Sequence, residues 1–273
     1  MFDFLRPVHV PEGIAVREFA CKRGDLTVRG TEYRPAGEKL PVAIVSHGFM
    51  DSQDGVRRYA VELASMGYAA YCFDFCGGSA KRNKSDGVST DMSVLTEVQD
   101  LEAVVNYAQT LDYTNDTLLL AGCSQGGFVS ALYAAANPER VSKLLLFYPA
   151  LCIPDDARAG RMMFSKFDPN NLPEKFRCGP MKLGRCYPAD VIGLEPWREI
   201  SGYTGPVLIL HGTKDKIVNI SYSERAAETY RQSSDDVCLF VIEKGKHGFS
   251  RKHDVLALAK LREFAAAAED AKN

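Results

Sequence analysis

Residues 117–136, TLLLAGCSQGGFVSALYAAA, decide the fold. Thr117 to Ala121 form a short apolar run of strand length, and the small-residue stretch from Gly127 to Ala136 reads as a helix. Between them lies Gly122-Cys123-Ser124-Gln125-Gly126, a G-x-S-x-G sequence. Ordinary glycine and serine usage produces that pattern by chance in roughly one chain of this length in ten. Its position between a strand and a helix is the informative part. A serine forced onto so sharp a turn has a strained backbone, and small residues two before and two after let strand and helix approach. The turn leaves Ser124 at a helix N-terminus, where free N–H groups favour a developing oxyanion. Ser124 is therefore the candidate nucleophile. The adjacent Cys123 is expected to point away from the cleft as a structural thiol.

The same rhythm extends on both sides. Alternating segments at 15–21 and 26–33 flank Arg23-Gly24-Asp25 and predict an antiparallel strand pair. Apolar runs at 42–46, 69–73, 117–121 and 143–147 follow, separated by helix-like stretches. Runs apolar on both faces are what a parallel sheet covered by helices requires. Val94, Val98, Leu101, Val105 and Ala108 form one helical stripe that should pack on it. From residue 150 to 203 the rhythm breaks at Pro154, Pro169, Pro173, Pro180, Pro188 and Pro196. A stretch of this length without long periodic elements reads as a functional insertion over the site. Strands at 207–210 and 237–241, a helix near 223–230 and a terminal helix over 254–268 then resume the pattern. The expected class is α/β, with a mostly parallel sheet flanked by helices: 1–149 and 204–273 form the core, and 150–203 an inserted cap.

A serine hydroxyl is a poor nucleophile at neutral pH and needs a base held by a carboxylate. Asp215 lies in the loop after the strand at 207–210, and His247 in the loop after 237–241. Each alone is an ordinary loop residue, but both follow Ser124 in the order this chemistry uses on an α/β sheet. His9 and His253 lie outside the strand-end pattern. His47 and His211 sit at strand ends ahead of glycines and are read as shaping their loops by hydrogen bonding. The oxyanion requires two N–H donors: Gln125 follows the nucleophile, and Phe49, after Ser46-His47-Gly48, is the candidate for the second.

These residues identify the chain as a member of the α/β-hydrolase superfamily, and within it the chain resembles the cytosolic bacterial feruloyl (cinnamoyl) esterases. The resemblance is carried by His47-Gly48-Phe49, Gly122-x-Ser124-Gln125-Gly126-Gly127, His211-Gly212-x-x-Asp215 and His247-Gly248-Phe249. It implies an α/β-hydrolase fold, a cap over the serine and a pocket for an aromatic acyl group. It also implies that Asp156 and Tyr187 in the cap hydrogen-bond the phenolic hydroxyl of the acid. The sequence departs from that group at Met162-Met163-Phe164 and in extra basic residues of the cap. Phe164, Phe167, Phe176 and Trp197 either line an apolar pocket or hold the cap to the core.

The expected activity is carboxylic-ester hydrolysis through an acyl-enzyme, on hydroxycinnamate esters. Alternatives on the same groups are short-chain carboxylesterase, thioesterase or acyl-peptide cleavage. The alternative in kind is a non-catalytic ligand-binding homologue, against which the intact serine, aspartate and histidine argue. The chain's 273 residues, 46% of them hydrophobic, suffice for a substantial core. A formal net charge of −2 offers no footprint for nucleic acid or an anionic membrane, so the expected partner is a small-molecule ester. Residues 1–7 carry no basic segment followed by an apolar run, and no stretch approaches the ~20 apolar residues of a membrane helix. The expected location is cytoplasmic, with eight reduced, mostly buried cysteines. No Cys-x2-Cys or His-x3-His pair suggests a metal, and no cofactor is expected. Lys81-Arg82-Asn83-Lys84 reads as a solvated loop.

Overall fold

A computed structural model describes residues 8–80 and 84–266. Eight strands form one sheet in the order β1-β2-β4-β3-β5-β6-β11-β12. The hairpin of β1 (Ala15–Arg23) and β2 (Leu26–Arg34) pairs antiparallel and meets β4 (Ala69–Asp74) antiparallel. The remaining pairings are parallel: β4 with β3 (Leu40–Ser46), then β5 (Thr114–Cys123), β6 (Lys143–Phe147), β11 (Val207–Gly212) and β12 (Val237–Ile242).

Alternation along each central strand divides the interior into two layers. Val42, Ile44, Leu118, Leu120, Leu144 and Leu146 face α2 (Val94–Gln109) and α3 (Gln125–Ala136), with α7 (Ile220–Tyr230) extending that layer. Ala43, Val45, Leu119, Ala121, Leu145 and Phe147 face α1 (Gln53–Ser65) and α8 (Arg251–Ala266). Strands buried on both faces need no polar side, which is why they read as continuous apolar runs. The stripe expected on α2 packs inward, but Glu97 and Asp100 are buried with it. Ser93 caps this helix reciprocally with Thr96, at 3.3 and 2.9 Å.

The strands align at their C-terminal ends, Ser46 beside Gly122, Cys123 beside Phe147, and Gly212 beside Ile242. The loops that carry Phe49, Ser124, Asp215 and His247 therefore emerge at one end of the sheet, where ligands bind in open α/β folds. Between β6 and β11 the chain leaves the sheet for α4 (Ile153–Arg158), the hairpin β7 (Arg161–Met162) with β8 (Ser165–Lys166), and the hairpin β9 (Lys175–Cys178) with β10 (Met181–Gly184). Then come α5 (Cys186–Ile192) and α6 (Pro196–Glu199). Pro154 and Pro196 open α4 and α6, positions where proline's missing N–H costs nothing. Among the described residues no helix is long and apolar enough to cross a membrane.

All eight cysteines are free; Cys72, Cys76, Cys123, Cys152 and Cys178 are buried, while Cys238 is exposed on β12. Residues 81–83 of the basic cluster, residues 1–7 and the end of the expected terminal helix beyond 266 lie outside the described residues. Lys84 pairs with Glu18 at the surface at 2.7 Å.

Candidate active site

Ser124 occupies the turn between β5 and α3 with φ 53° and ψ −117°, a conformation that disfavours any side chain. The surroundings hold it there. Its N–H donates to Phe147 O at 2.9 Å, and its carbonyl accepts from the N–H groups of Gly127, Phe128 and Ala150 at 3.0, 3.2 and 2.9 Å. A Cβ on Gly122 would meet the Gly126 carbonyl oxygen at 2.2 Å, and one on Gly126 would meet the His47 carbonyl oxygen at 2.3 Å. The two glycines therefore let strand, turn and helix pack backbone to backbone. Cys123 points into the layer beneath α1 and α8, where burial pushes its thiol up to about 12.

The structure brings the three expected side chains together. His247 Nε2 lies 3.0 Å from Ser124 Oγ, and His247 Nδ1 lies 2.7 Å from Asp215 Oδ2. An imidazole that donates from Nδ1 to the carboxylate presents the Nε2 lone pair to the serine hydroxyl. Asp215 Oδ1 accepts from the N–H groups of Ile217 and Val218 at 2.8 and 3.0 Å. Burial alone would raise this carboxyl, but hydrogen bonds from His211 and His247, with the Val218 N–H, hold it well below the usual range.

His211 does more than shape its loop. Fully buried, it lies 3.2 Å from Asp215 Oδ2 and 3.1 Å from Val218 O through Nε2, while Nδ1 meets Ser223 Oγ at 2.6 Å. Those partners put the proton on Nε2. Tyr148, which no motif in the sequence marks, packs its ring on His247 at 4.6 Å and is itself flanked edge-on by Phe249 at 4.9 Å. Met50, Ser124, Tyr148, Lys244 and Phe249 all carry positive φ, between 21° and 64°, in the loops at this end of the sheet.

Gly48 closes on Ser124 so tightly that a Cβ there would stand 3.1 Å from Ser124 Cβ. His47 Nε2 accepts from Phe75 N at 3.2 Å, leaving Nδ1–H to donate to Gly48 O at 2.8 Å. The Asp51 N–H donates to the same oxygen at 3.1 Å. Because C=O and N–H of one peptide point in opposite directions, these bonds aim the Phe49 N–H the other way. Phe49, Ser124 and Gln125 line one cavity of about 340 Å³.

The cavity is walled by the segment between β6 and β11. Ile153, Met162, Met163 and Phe164 supply apolar wall, and Asp156 and Arg161 its charged groups, with Lys216 of the loop after β11 adding a third. Asp156 pairs with Arg161 at 2.8 Å; burial raises its carboxyl, with Arg161 opposing. Tyr187 is placed differently from Asp156. It is buried, is not among the cavity-lining residues, and its hydroxyl donates to Gln125 Oε1. Of the expected aromatics only Phe164 lines the cavity. Phe167 packs on Phe176 at 5.3 Å, and Trp197 stacks on Tyr222 of α7 at 5.9 Å beneath Arg225, holding the segment to the core. Among the described residues no group of three or more His, Cys, Asp or Glu could hold a metal ion.

A mostly parallel sheet with a serine on the turn after a central strand, hydrogen-bonded to histidine and aspartate on later strand ends, defines an α/β-hydrolase of the serine-esterase kind. Residues 37–175, just over half the chain, match the family described as "Serine aminopeptidase, S33", and the chain belongs to that family. Among solved structures it is similar to Est1E from Butyrivibrio proteoclasticus with ferulic acid bound, with a TM-score of 0.78 and 27% identity over 94% of this chain and 96% of that one. It is 25% identical over 234 residues to the mitochondrial palmitoyl-protein thioesterase ABHD10 of Mus musculus, covering 82% of this chain and 74% of that protein. To the monoacylglycerol lipase of Mycolicibacterium smegmatis it is 24% identical over 235 residues, covering 77% and 81%.

Proposed function

We propose that this chain hydrolyses carboxylic esters through an acyl-enzyme on Ser124, with hydroxycinnamate (feruloyl-type) esters as its substrates and residues 150–203 as the cap that selects them. The observation that carries the reading is the unbroken chain from Asp215 through His247 to Ser124, opening on a cavity beside Phe49 and Gln125. His247 Nε2 takes the Ser124 proton as Oγ bonds the carbonyl carbon, and the Phe49 and Gln125 N–H groups hold the oxyanion. Collapse breaks the bond to the alcohol oxygen, which leaves with the proton from His247. Water then adds by the same route in reverse, and the acid departs with Ser124 restored.

The acyl preference is supported by Asp156, a carboxylate on the cavity wall beside Arg161 whose oxygens can accept from a phenolic hydroxyl. The likeness to Est1E, solved with ferulic acid, supports it too. A second reading, esters or thioesters of aliphatic acyl chains, is favoured by the exposed Met163 and Phe164 at the cavity and by the thioesterase and lipase relatives. The two part on kcat/KM for methyl ferulate against p-nitrophenyl butyrate and an acyl-CoA. The serine chemistry itself is tested by Ser124→Ala, which should lower hydrolysis of p-nitrophenyl acetate on the order of 10⁶-fold. Activity retained in that variant, or no labelling of Ser124 by a fluorophosphonate, would overturn it.

A further inference from the structure

Gln125 is held by its side chain as well as by its backbone. Nε2 donates to Glu97 Oε2 of α2 at 2.8 Å, and Oε1 accepts from the Tyr187 hydroxyl of α5. Glu97, Gln125 and Tyr187 are each only 1% exposed. The two helices that supply these partners are themselves tied together: Ser93 Oγ, at the start of α2, donates to Asp190 Oδ2 of α5 at 2.5 Å. Tyr187 also packs its ring against Phe49 at 5.7 Å. One side chain from outside the sheet therefore touches both residues whose N–H groups are the proposed oxyanion donors. A buried amide satisfied at both ends has one orientation, and its backbone is fixed with it.

We propose that Tyr187 is a positioning residue for the oxyanion donors: together with Glu97 it clamps the Gln125 side chain, and with its ring it backs Phe49, so that both N–H groups stay aimed at the reacting carbonyl. The role rests on the serine reading above and is independent of which acyl group is bound. It differs from a contact with the phenolic hydroxyl of a substrate, because the Tyr187 hydroxyl is already donated and its ring is shut off from the cavity. Burial pushes the Glu97 carboxyl well above the usual range, opposed by the Gln125 amide, with nearby Asp100 adding to the rise. A neutral carboxyl still offers an acceptor oxygen to Gln125 Nε2.

Tyr187→Phe keeps the ring on Phe49 and removes the hydrogen bond. It should lower kcat about ten- to a hundred-fold, equally for p-nitrophenyl butyrate and methyl ferulate, with KM within about twofold. Affinity for a trifluoromethyl ketone, whose adduct with Ser124 carries the oxyanion, should fall by the same factor. Glu97→Gln, which presents an equivalent oxygen, should recover most of what Glu97→Ala loses. Wild-type kcat in Tyr187→Phe on p-nitrophenyl butyrate would overturn the positioning role, as would a rise in KM confined to methyl ferulate or a Glu97→Gln enzyme as slow as Glu97→Ala. Ser124→Ala in the same assay separates the readings: activity surviving there overturns the serine chemistry, whereas the Tyr187→Phe outcomes bear on the clamp alone.

Discussion

The sheet end and the inserted wall of the cavity are built to different standards. At the sheet end Asp215 is shut away and holds four donors, Ile217 N–H, Val218 N–H, His211 and His247. Across the cavity Phe164 is 72% exposed and Met163 40% exposed at the tip of a hairpin whose strands have two residues each. The Asp156–Arg161 pair there is partly solvated, a geometry worth little in stability. Ser124, His247 and Asp215 are held by buried hydrogen bonds that admit one arrangement, while the facing wall of the cavity is left adjustable.

The sharpest test of the rigid half is Asp215→Asn. It should keep the fold and cost on the order of 10⁴ in kcat for every ester tried, because the wrong tautomer of His247 then faces Ser124. A loss confined to one substrate would break the contrast. Next is His211→Phe, which removes a donor from Asp215 and strands Ser223 Oγ and Val218 O. Urea denaturation should show a loss of about 1–3 kcal/mol.

Smaller is the pH response of Glu97. Its folded-state affinity for a proton is raised, so its contribution is fully present below the ordinary carboxylate range and is lost as pH rises, when only the unfolded chain ionises. Glu97→Gln escapes that loss. Its Tm relative to wild type should therefore climb between pH 4 and pH 8 in calorimetry, and a flat difference would mean the carboxyl titrates normally. Smallest in stability is Phe164→Ser, expected within about 0.5 kcal/mol of wild type by denaturation. Its effect should fall on KM, several-fold and dependent on the acyl group. A large destabilisation would show the hairpin tip to be core rather than adjustable wall.

What the sequence discloses follows the same division. The central strands are legible because burial on both faces makes their middle positions continuous apolar runs. The elbow is legible because its glycines are forced by backbone contacts under 3 Å. Ser124, Asp215 and His247 meet as their order on successive strand ends predicts. Glu97 is hidden because a carboxylate near a helix start ordinarily reads as a solvated cap, and only its fit against Gln125 shows otherwise. Tyr187 is similar: its number gives an aromatic in the insertion, but the partner of its hydroxyl lies 62 residues away. The hairpins between 161 and 184 are too short for alternation to register.

The cluster of left-handed residues around the site bears on how the protein ages under heat. Met50, Ser124, Tyr148, Lys244 and Phe249 each store backbone strain, of order 1–3 kcal/mol apiece, that the surrounding packing must overrule. The continuous sheet beneath them stores none of that kind. On warming, that strain should relax before the strands part, so ester turnover is expected to fade at a temperature where the far-ultraviolet circular dichroism is still native. A catalyst of this build would show two melting points, the lower one read by an assay of activity.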